Sequence, residues 1–223
     1  MRWLNRREAL KRAMLIPAVG GVSMSFAPAT GMAAWTEAPA RPVTAEGYGT
    51  DPDLIHPSVP WPNTLTDGER QTLTVLADLI LPQDGDHPPA SAVGVVDVLD
   101  EWVSAPYPDQ QAHRHVLLSG LVWLDDESIR RQGTRFAEAG PQTRSAIVDV
   151  IAFPERADAA TAEPVLFFSV LRSLVVAAYY TSPEGVKELG YVGNVPIAGD
   201  YPGPSEAAMT HLGEQLVRLG LQE

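Results

Sequence analysis

Residues 165–180 form the most apolar stretch of the chain and constrain its fold more than any other segment. Only Ser169, Arg172 and Ser173 interrupt a run of aliphatic, aromatic and alanine side chains. A helix that is apolar on all sides must be covered on all sides, by protein or by lipid. This segment is too short for a comfortable bilayer span, which needs about 20 mainly apolar residues. It therefore predicts a buried central helix.

Several helices are predicted on the N-terminal side of this segment. Thr66 and Glu69 have the spacing of a capping box, and apolar residues then recur at helical spacing as far as Pro82. Ser91 is predicted to cap a second helix, which Pro106 ends.

A longer helical region is predicted from Asp109 to about Ala139, with a break near Gly133, and Pro141 suits the first turn of the next helix. Beyond the central helix, a short helix is expected around Pro183–Leu189 and a last helix from about Ser205 to Leu219. No stretch alternates apolar and polar residues for long. The sequence thus predicts an all-α fold, a single compact domain of five to seven helices.

The first 34 residues have the features of a twin-arginine export signal. Arg6, Arg7 and Leu10 match the core of that signal, and a weakly apolar stretch broken by proline and glycine follows at Ala13–Ala34. An uncleaved amphipathic anchor is the alternative. Small-residue cleavage options are Ala27–Ala29, the Gly31–Ala34 region and Ala38–Ala40, of which a cut near Ala34 is favoured.

Residues 35–64 are rich in proline and predict an extended arm with at most short turns. Trp35, Trp61 and Ile55 could pin parts of the arm to the domain or to a partner, and a partly disordered arm is the alternative. The predicted division is therefore a signal peptide at 1–34, an arm at 35–64 and a helical domain at 65–223.

Charge and composition exclude several classes of protein. The first 34 residues hold five of the 16 basic and one of the 28 acidic residues, so the rest carries 11 against 27, a net charge of −16. Such a surface repels phosphate backbones and anionic lipids. The chain has no cysteine, which excludes disulfides, thiolate-held iron–sulfur clusters and covalent haem attachment.

The histidines do not form a recognisable metal site. His113 and His115 are two apart on a predicted helix and point in different directions, whereas zinc pairs on helices are four apart. Solvated or capping roles are expected for them and for the isolated His56, His87 and His211.

The acidic clusters carry no recognisable catalytic pattern either. Asp125–Glu127 lacks the spacing and the glycine of a calcium loop, and a solvated helix face is expected there. Asp97, Asp100 and Glu101 could pair as acid and base only in a positioned pocket. Nucleophile and dinucleotide motifs are absent from the sequence, so no catalytic residue is predicted.

The stretch from Tyr179 to Gly203 follows the central helix and is predicted to form a long irregular loop containing one short helix. Tyrosines, glycines and prolines are concentrated in it. Long loops in compact domains tend to be functional, and tyrosine provides contact area at little entropic cost. A binding surface is favoured over a self-packed Ω-loop.

Two stretches resemble a known family. They are "LTDGERQTLTVLADLILPQDGDHPPASAVGVVDVLD" and "FFSVLRSLVVAAYYTSPEGVKELGYVGNVPIAGDYPG", and together they look like the gluconate 2-dehydrogenase subunit 3 family from about Leu65 to Gly203. The most specific parts are Tyr180–Gly185 and Gly190–Asn194.

The resemblance implies a small, cofactor-free subunit of a periplasmic FAD-dependent dehydrogenase. In such complexes a large subunit of the glucose–methanol–choline type holds FAD and oxidises a sugar, sugar acid or polyol. A multihaem cytochrome c often passes the electrons toward the membrane, where it would also hold the complex. The small subunit is associated with maturation and export of the large one through the twin-arginine translocase. No catalytic, cofactor-binding or metal-binding residue is carried over.

The predicted function is therefore that of a non-catalytic subunit that supports folding, stability and export of the flavoprotein. A free-standing periplasmic module for a small ligand, and a subunit that contributes a loop to the sugar site, are the alternatives. The residues predicted to contact the partner are Trp61, Tyr179, Tyr180, Tyr191, Asn194 and Tyr201.

Overall fold

The computed structural model of the protein describes residues 31–191, 193, 199–200 and 202–221. Within that part of the chain there are seven α-helices and no strand, which confirms the predicted all-α fold. The chain separates into a large unit, Met1–Leu189, and a small one, Gly190–Glu223. The helices of the large unit are α1 Asp67–Ile80, α2 Val95–Ser104, α3 Pro108–Gln132, α4 Pro141–Ile151, α5 Ala162–Tyr180 and α6 Pro183–Glu188, and the small unit holds α7 Glu206–Arg218.

Local signals begin and end these helices as the sequence predicts. The Thr66 hydroxyl accepts from the backbone of Glu69, whose carboxylate accepts from the backbone of Thr66, and this capping box begins α1. Proline occupies the first turn of α3 and of α4. Gly133 ends α3 with a positive φ of 76°, a conformation that glycine adopts without steric cost.

The predicted Ser91 cap of the second helix is wrong. Ser91 lies in a short 3-10 helix, Ala90–Val93, and α2 begins four residues later, after Gly94. Both the backbone N–H and the hydroxyl of Ser91 donate to the Asp78 carboxylate, each at 2.8 Å. The serine therefore ties the 3-10 turn to α1, and this leaves the α2 N-terminus to a glycine.

Helix α5 is the central helix, as predicted. Phe167, Leu171, Val175 and Tyr179 are completely buried along it. By length and composition α5 is the one described helix that could cross a membrane, but 56% of its apolar window is buried inside the protein. Its internal arginine, Arg172, donates to the Ala152 carbonyl at 3.2 Å, which allows a charged side chain within the core.

The long helix α3 packs closely against α5 at Gly120. A Cβ atom at this position would overlap the ring of Phe167, which is itself fully buried. The missing side chain therefore leaves room for the Phe167 ring to pack directly on α3.

Candidate functional site

The N-terminal arm lies along α3 and runs in the opposite direction to it. The first described residues of the arm contact the C-terminal half of α3. The later residues of the arm contact the residue that precedes the first turn of α3. Alternate residues of the arm, 41, 43, 45 and 47, are partly buried, whereas 42, 44 and 46 are exposed, as expected of an extended chain on a surface. The contacts are Ala33 with Trp123 and Glu127, Glu37 with His115, Ala38 with Ser119, Arg41 with Arg114, and Tyr48 with Tyr107.

Most of the residues that receive the arm recur at every fourth position. Residues four apart form a ridge that is inclined to the helix axis, so this series follows the arm obliquely across the surface of α3. Its members are Tyr107, His115, Ser119, Trp123 and Glu127, which we call the arm track.

Ala33 is held through both of its backbone groups. Its N–H donates to the Glu127 carboxylate at 2.8 Å, and its carbonyl accepts from the Trp123 indole at 3.0 Å. Both partners are buried, with Trp123 only 1% and Glu127 0% exposed. Met32, Ala33 and Trp35 also pack against the hydrophobic core. Residues that the sequence assigns to the end of the signal are thus seated on the folded domain.

Glu127 is the main electrostatic anchor of this segment. Arg130 and Arg131 both donate to its carboxylate, at 2.8 and 2.6 Å. Burial alone would raise the pKa of Glu127, but the hydrogen bonds from Arg130, Ala33 and Arg131 outweigh it and hold the pKa below its ordinary value. The predicted solvated face at Asp125–Glu127 is therefore wrong for Glu127, because its carboxylate points at the arm.

The lowered pKa of Glu127 predicts a pH-dependent contribution to stability. A depressed folded-state pKa stabilises the fold above the ordinary value of about 4.3, and that contribution is lost as the pH falls through the folded pKa. Glu127→Gln should therefore lower the free energy of unfolding by about 1.5–3 kcal/mol at neutral pH, the range for hydrogen bonds to charged groups. The difference from the native protein should shrink below about pH 4.

Urea unfolding of both proteins from pH 7 to pH 3 measures this difference. Burial raises the pKa of the neighbouring Asp125, but this opposite contribution is common to both proteins and cancels in the comparison. Asp126→Asn removes an exposed acid from the same turn and serves as the matched control, with little expected effect. A loss in Glu127→Gln that is the same at every pH would contradict the prediction.

Trp61 anchors the other end of the arm. Its ring packs edge-on against Tyr48 and Tyr107, with centroids 5.0 and 5.7 Å away, and its indole donates to the Glu101 carbonyl at 3.0 Å. Trp35 and Trp61 thus pin the arm to the domain, as one of the sequence alternatives proposed. Ile55 does not, since it is 82% exposed.

Two buried charged residues join the arm to the helices beneath it. Arg114 donates to the Arg41 carbonyl, the Thr64 hydroxyl and the Val103 carbonyl at 2.7–3.1 Å, and burial lowers its pKa. Asp100 accepts from the backbone of Thr64 and Leu65 at 3.0 and 3.1 Å. These bonds satisfy charges that would be costly to bury alone.

Of the three acids at positions 97, 100 and 101, those whose side-chain contacts are described form structural ion pairs. Arg70 forms ion pairs with Asp97 and Asp100, and the hydrogen bonds to Asp97 and then Asp100 raise the pKa of Arg70. A cavity of about 350 Å³ opens beside this pair, between α1 and α2. Because its arginine is already neutralised by two carboxylates, this cavity is poorly suited to an anionic sugar acid.

The paired histidines point to different sides of α3, as the helical spacing predicts. His113 accepts from the Trp102 indole at 3.1 Å and stacks on its ring, whereas His115 lies 3.8 Å from the Glu37 carboxylate on the arm. Among the described residues, no three histidine or acidic side chains come close enough together to hold a metal ion.

The turn after α5 is built around Gly185. The Ser182 hydroxyl donates to the Tyr179 carbonyl at 2.7 Å and accepts from the Gly185 N–H at 3.1 Å, which caps α6. A Cβ on Gly185 would overlap the Tyr179 carbonyl oxygen and lie 2.7 Å from the Tyr180 Cα. This packing explains why the stretch contains Ser-Pro-Glu-Gly: serine caps, proline begins the helix and glycine permits the close backbone contact.

The residues predicted to contact a partner differ in their accessibility. Tyr179 is fully buried and donates to the Pro88 carbonyl at 3.0 Å, and Trp61 is only 8% exposed. These two residues can pack beneath a partner-binding surface, but they do not form its exposed part. Tyr180 is half-buried and donates to Glu188 at 3.0 Å, whereas Tyr191 is 64% exposed in the small unit. Asn194, Tyr201 and the signal residues Arg6, Arg7 and Leu10 lie outside the described residues.

Sequence reasoning did not find the arm track. Its signal is the period-four recurrence of hydrogen-bonding or aromatic side chains from Tyr107 to Glu127. A search for a second, polar ridge on this long helix could have found it. The arm residues themselves give little signal, because they bond mainly through backbone groups.

Most of the helical domain matches one known protein family. The sequence model described as Gluconate 2-dehydrogenase subunit 3 matches residues 67–203, which is more than half of the chain. No curated protein and no solved structure matches the chain significantly. The matched region begins with α1 and includes the arm track, the central helix and the turn at Gly185.

Proposed function

We propose that this chain, which belongs to the gluconate 2-dehydrogenase subunit 3 family, is the non-catalytic subunit that escorts a FAD-dependent dehydrogenase to the periplasm. The family implies a multi-subunit dehydrogenase complex and an accessory role within it. The partner is a flavoprotein of the glucose–methanol–choline type that oxidises a sugar, sugar acid or polyol, and a multihaem cytochrome c is the proposed electron acceptor. The family match is the observation that carries this proposal.

The arm supports the proposed export role. A signal that carries a folded pair across a membrane must be attached firmly to the subunit that bears it. Here the chain from Ala33, at the end of the predicted signal, to Tyr48 is bonded to α3 and to Tyr107, the residue before it. A force on the signal would therefore be transmitted to a folded helix along its length, and not to a loosely attached segment.

A turn near the end of the arm supports a contact with the partner. Leu54 and Ile55 are 83% and 82% exposed, although the turn that holds them is ordered by the Asp53 carboxylate. That carboxylate accepts from the backbone of Ile55 and His56 at 2.8 and 2.9 Å. Adjacent exposed aliphatic side chains on a structured turn suit burial in a protein interface. We propose that they join Tyr180 and Tyr191 in contacting the flavoprotein.

Co-purification tests this proposal. The full chain with a C-terminal tag is produced in its native host, and the tagged protein is purified from the periplasm. A stoichiometric flavoprotein with the FAD absorbance spectrum is expected in the eluate. A chain that elutes alone as a monomer would contradict the proposal and favour a free-standing binding module.

A matched pair of variants tests the proposed contact. Leu54→Ser with Ile55→Ser should reduce the recovered flavoprotein, because two apolar anchors are lost from the interface. Ile129→Ser removes a half-exposed aliphatic side chain from α3 and should leave recovery unchanged. Equal recovery with all three proteins would exclude the turn from the interface but leave the escort role intact.

A further inference from the structure

A small cavity lies between the arm and α3. Its volume is about 170 Å³, and its walls are formed by arm residues 38–42 and by Gln111, Arg114, His115 and Leu118 of α3. A dry cavity of about 150 Å³ is large enough to bind benzene. The space between the arm and α3 can therefore hold a molecule of about six to eight non-hydrogen atoms.

The cavity is basic, although the chain as a whole is acidic. Two arginines and one histidine, Arg41, Arg114 and His115, line it, and none of the described residues in its walls is acidic. The whole sequence, by contrast, carries a formal net charge of −12. Because charge of one sign around a concave site attracts ligands of the opposite sign, this cavity suits an anion.

Arg114 is buried without a counter-charge in contact with it. The residue is 4% exposed, and its Nε and Nη1 atoms donate to two carbonyl oxygens and one hydroxyl, all of which are neutral. In the part of the chain that the structure describes, no carboxylate forms an ion pair with Arg114, and its Nη2 atom has no hydrogen-bond partner. One end of the guanidinium is thus left to bind a ligand.

Arg41 places a second positive charge near Arg114. The Arg41 guanidinium is bonded to Glu69 at 2.6 Å, so this carboxylate is already engaged. Burial lowers the pKa of Arg114, and the charge of Arg41 lowers it further; together they outweigh the attraction of Glu69 and Asp100. A buried charge is costly unless a group of opposite charge is bound to it, and an anion on Arg114 would reduce this cost.

We propose that this cavity binds a short aliphatic monocarboxylate, with the carboxylate on Arg114 and the carbon chain against the apolar part of the wall. That part is formed by Ala38, Pro39, Ala40, Pro42 and Leu118. Apolar walls with a few convergent polar groups are typical of small-molecule sites. They suit an aliphatic chain and offer few hydrogen-bonding groups to a polyhydroxy acid. The proposal concerns this chain alone and does not depend on the escort role.

Binding at this cavity would also hold the arm in place. One side of the cavity belongs to the arm and the other side to α3, so the complete site exists only while the arm is docked. A ligand that binds one of two states shifts the population toward that state. The carboxylate would therefore stabilise the docking of the segment that joins the predicted signal to the domain.

Titration of the full-length chain with butyrate tests the proposal, with calorimetry for affinity and two-dimensional amide NMR for location. We expect saturable binding, with the largest amide shifts at residues 38–42 and 111–118. Butyramide has the same size but no charge and should bind about ten-fold more weakly, because hydrogen bonds to charged groups are the stronger ones. Absence of saturable binding, equal binding of the two probes, or shifts centred on the cavity beside Arg70 would each overturn the proposal.

A pair of arginine variants probes the role of Arg114. Arg114→Gln removes the guanidinium from the cavity and should weaken butyrate binding about ten-fold or more. Arg144→Gln removes an α4 guanidinium that also donates to backbone carbonyls, those of Phe136 and Ala137, and should leave the affinity unchanged. Equal affinities in both variants and the native chain would contradict the site. If Arg114→Gln does not fold, the amide shifts of the native chain and the butyramide comparison decide.

Discussion

Replacing Arg6 and Arg7 together by lysine is expected to remove nearly all dehydrogenase activity from the periplasm. The twin-arginine signal is read by a receptor as an address. Lysine keeps the charge but not the planar guanidinium with its five donors, so the substitution is not conservative where that shape is recognised. Because the proposed partner travels on the signal of this subunit, it should remain in the cytoplasm as well.

The measurement is dye-linked dehydrogenase activity in separated periplasmic and cytoplasmic fractions, with immunodetection of both subunits. The cytoplasmic enzyme should be active and loaded with FAD, since the pair is proposed to fold before it crosses. Arg12→Lys makes the same chemical change outside the arginine pair and should leave the distribution unchanged. Normal periplasmic activity in the double variant would refute the escort role.

The helices of the large unit could be predicted from the sequence because their signals are local. The capping box at Thr66 and Glu69 and the proline at 141 lie within a few residues of the helix ends that they determine. The central helix was recognisable because an all-round apolar segment has few other solutions. At the second helix, the Ser91 prediction failed because Asp78, 13 residues away, competes for that serine.

The docking of the arm on the arm track could not be predicted because the contacts join residues that are distant in sequence. Ala33 and Glu127 are 94 residues apart, and Ala33 and Trp123 are 90 apart. The prediction that Asp125–Glu127 is solvated assumed that no other part of the chain covers this face of the helix. A proline-rich segment without apolar periodicity does not indicate which of its residues contact the helix. The side chains of the arm track must therefore determine the register of the arm along α3.

The loop after the central helix shows a different limit. Its composition correctly drew attention to the turn at Ser182 and Gly185, but it could not separate buried from exposed tyrosines. Tyr179 and Tyr180 are adjacent, yet one lies in the core and the other is only half-buried. Neighbouring residues on a helix are about 100° apart around its axis. An aromatic cluster in sequence is therefore not one surface in space.

Gly120→Ala is expected to give the largest loss of stability in the folded domain. Its new Cβ would overlap the Phe167 ring, and both residues are buried where α3 crosses α5. Overpacking of this kind costs about 1–3 kcal/mol, and more where the surroundings cannot yield. For a chain of this size, each kcal/mol lowers the melting temperature by about 2–4 °C.

Gly68→Ala is the control that separates packing from backbone effects. Gly68 lies in the first turn of α1, and the nearest atom to an added Cβ would be an Arg135 nitrogen 4.0 Å away. Alanine is favoured over glycine in a helix by up to about 1 kcal/mol, so this variant should melt at the same temperature or higher. The two substitutions add the same methyl group to helical glycines. Calorimetry should show shifts of the melting temperature in opposite directions or, at the least, a lower melting temperature in Gly120→Ala alone. Equal shifts would mean that the packing of α3 against Phe167 of α5 does not depend on this glycine.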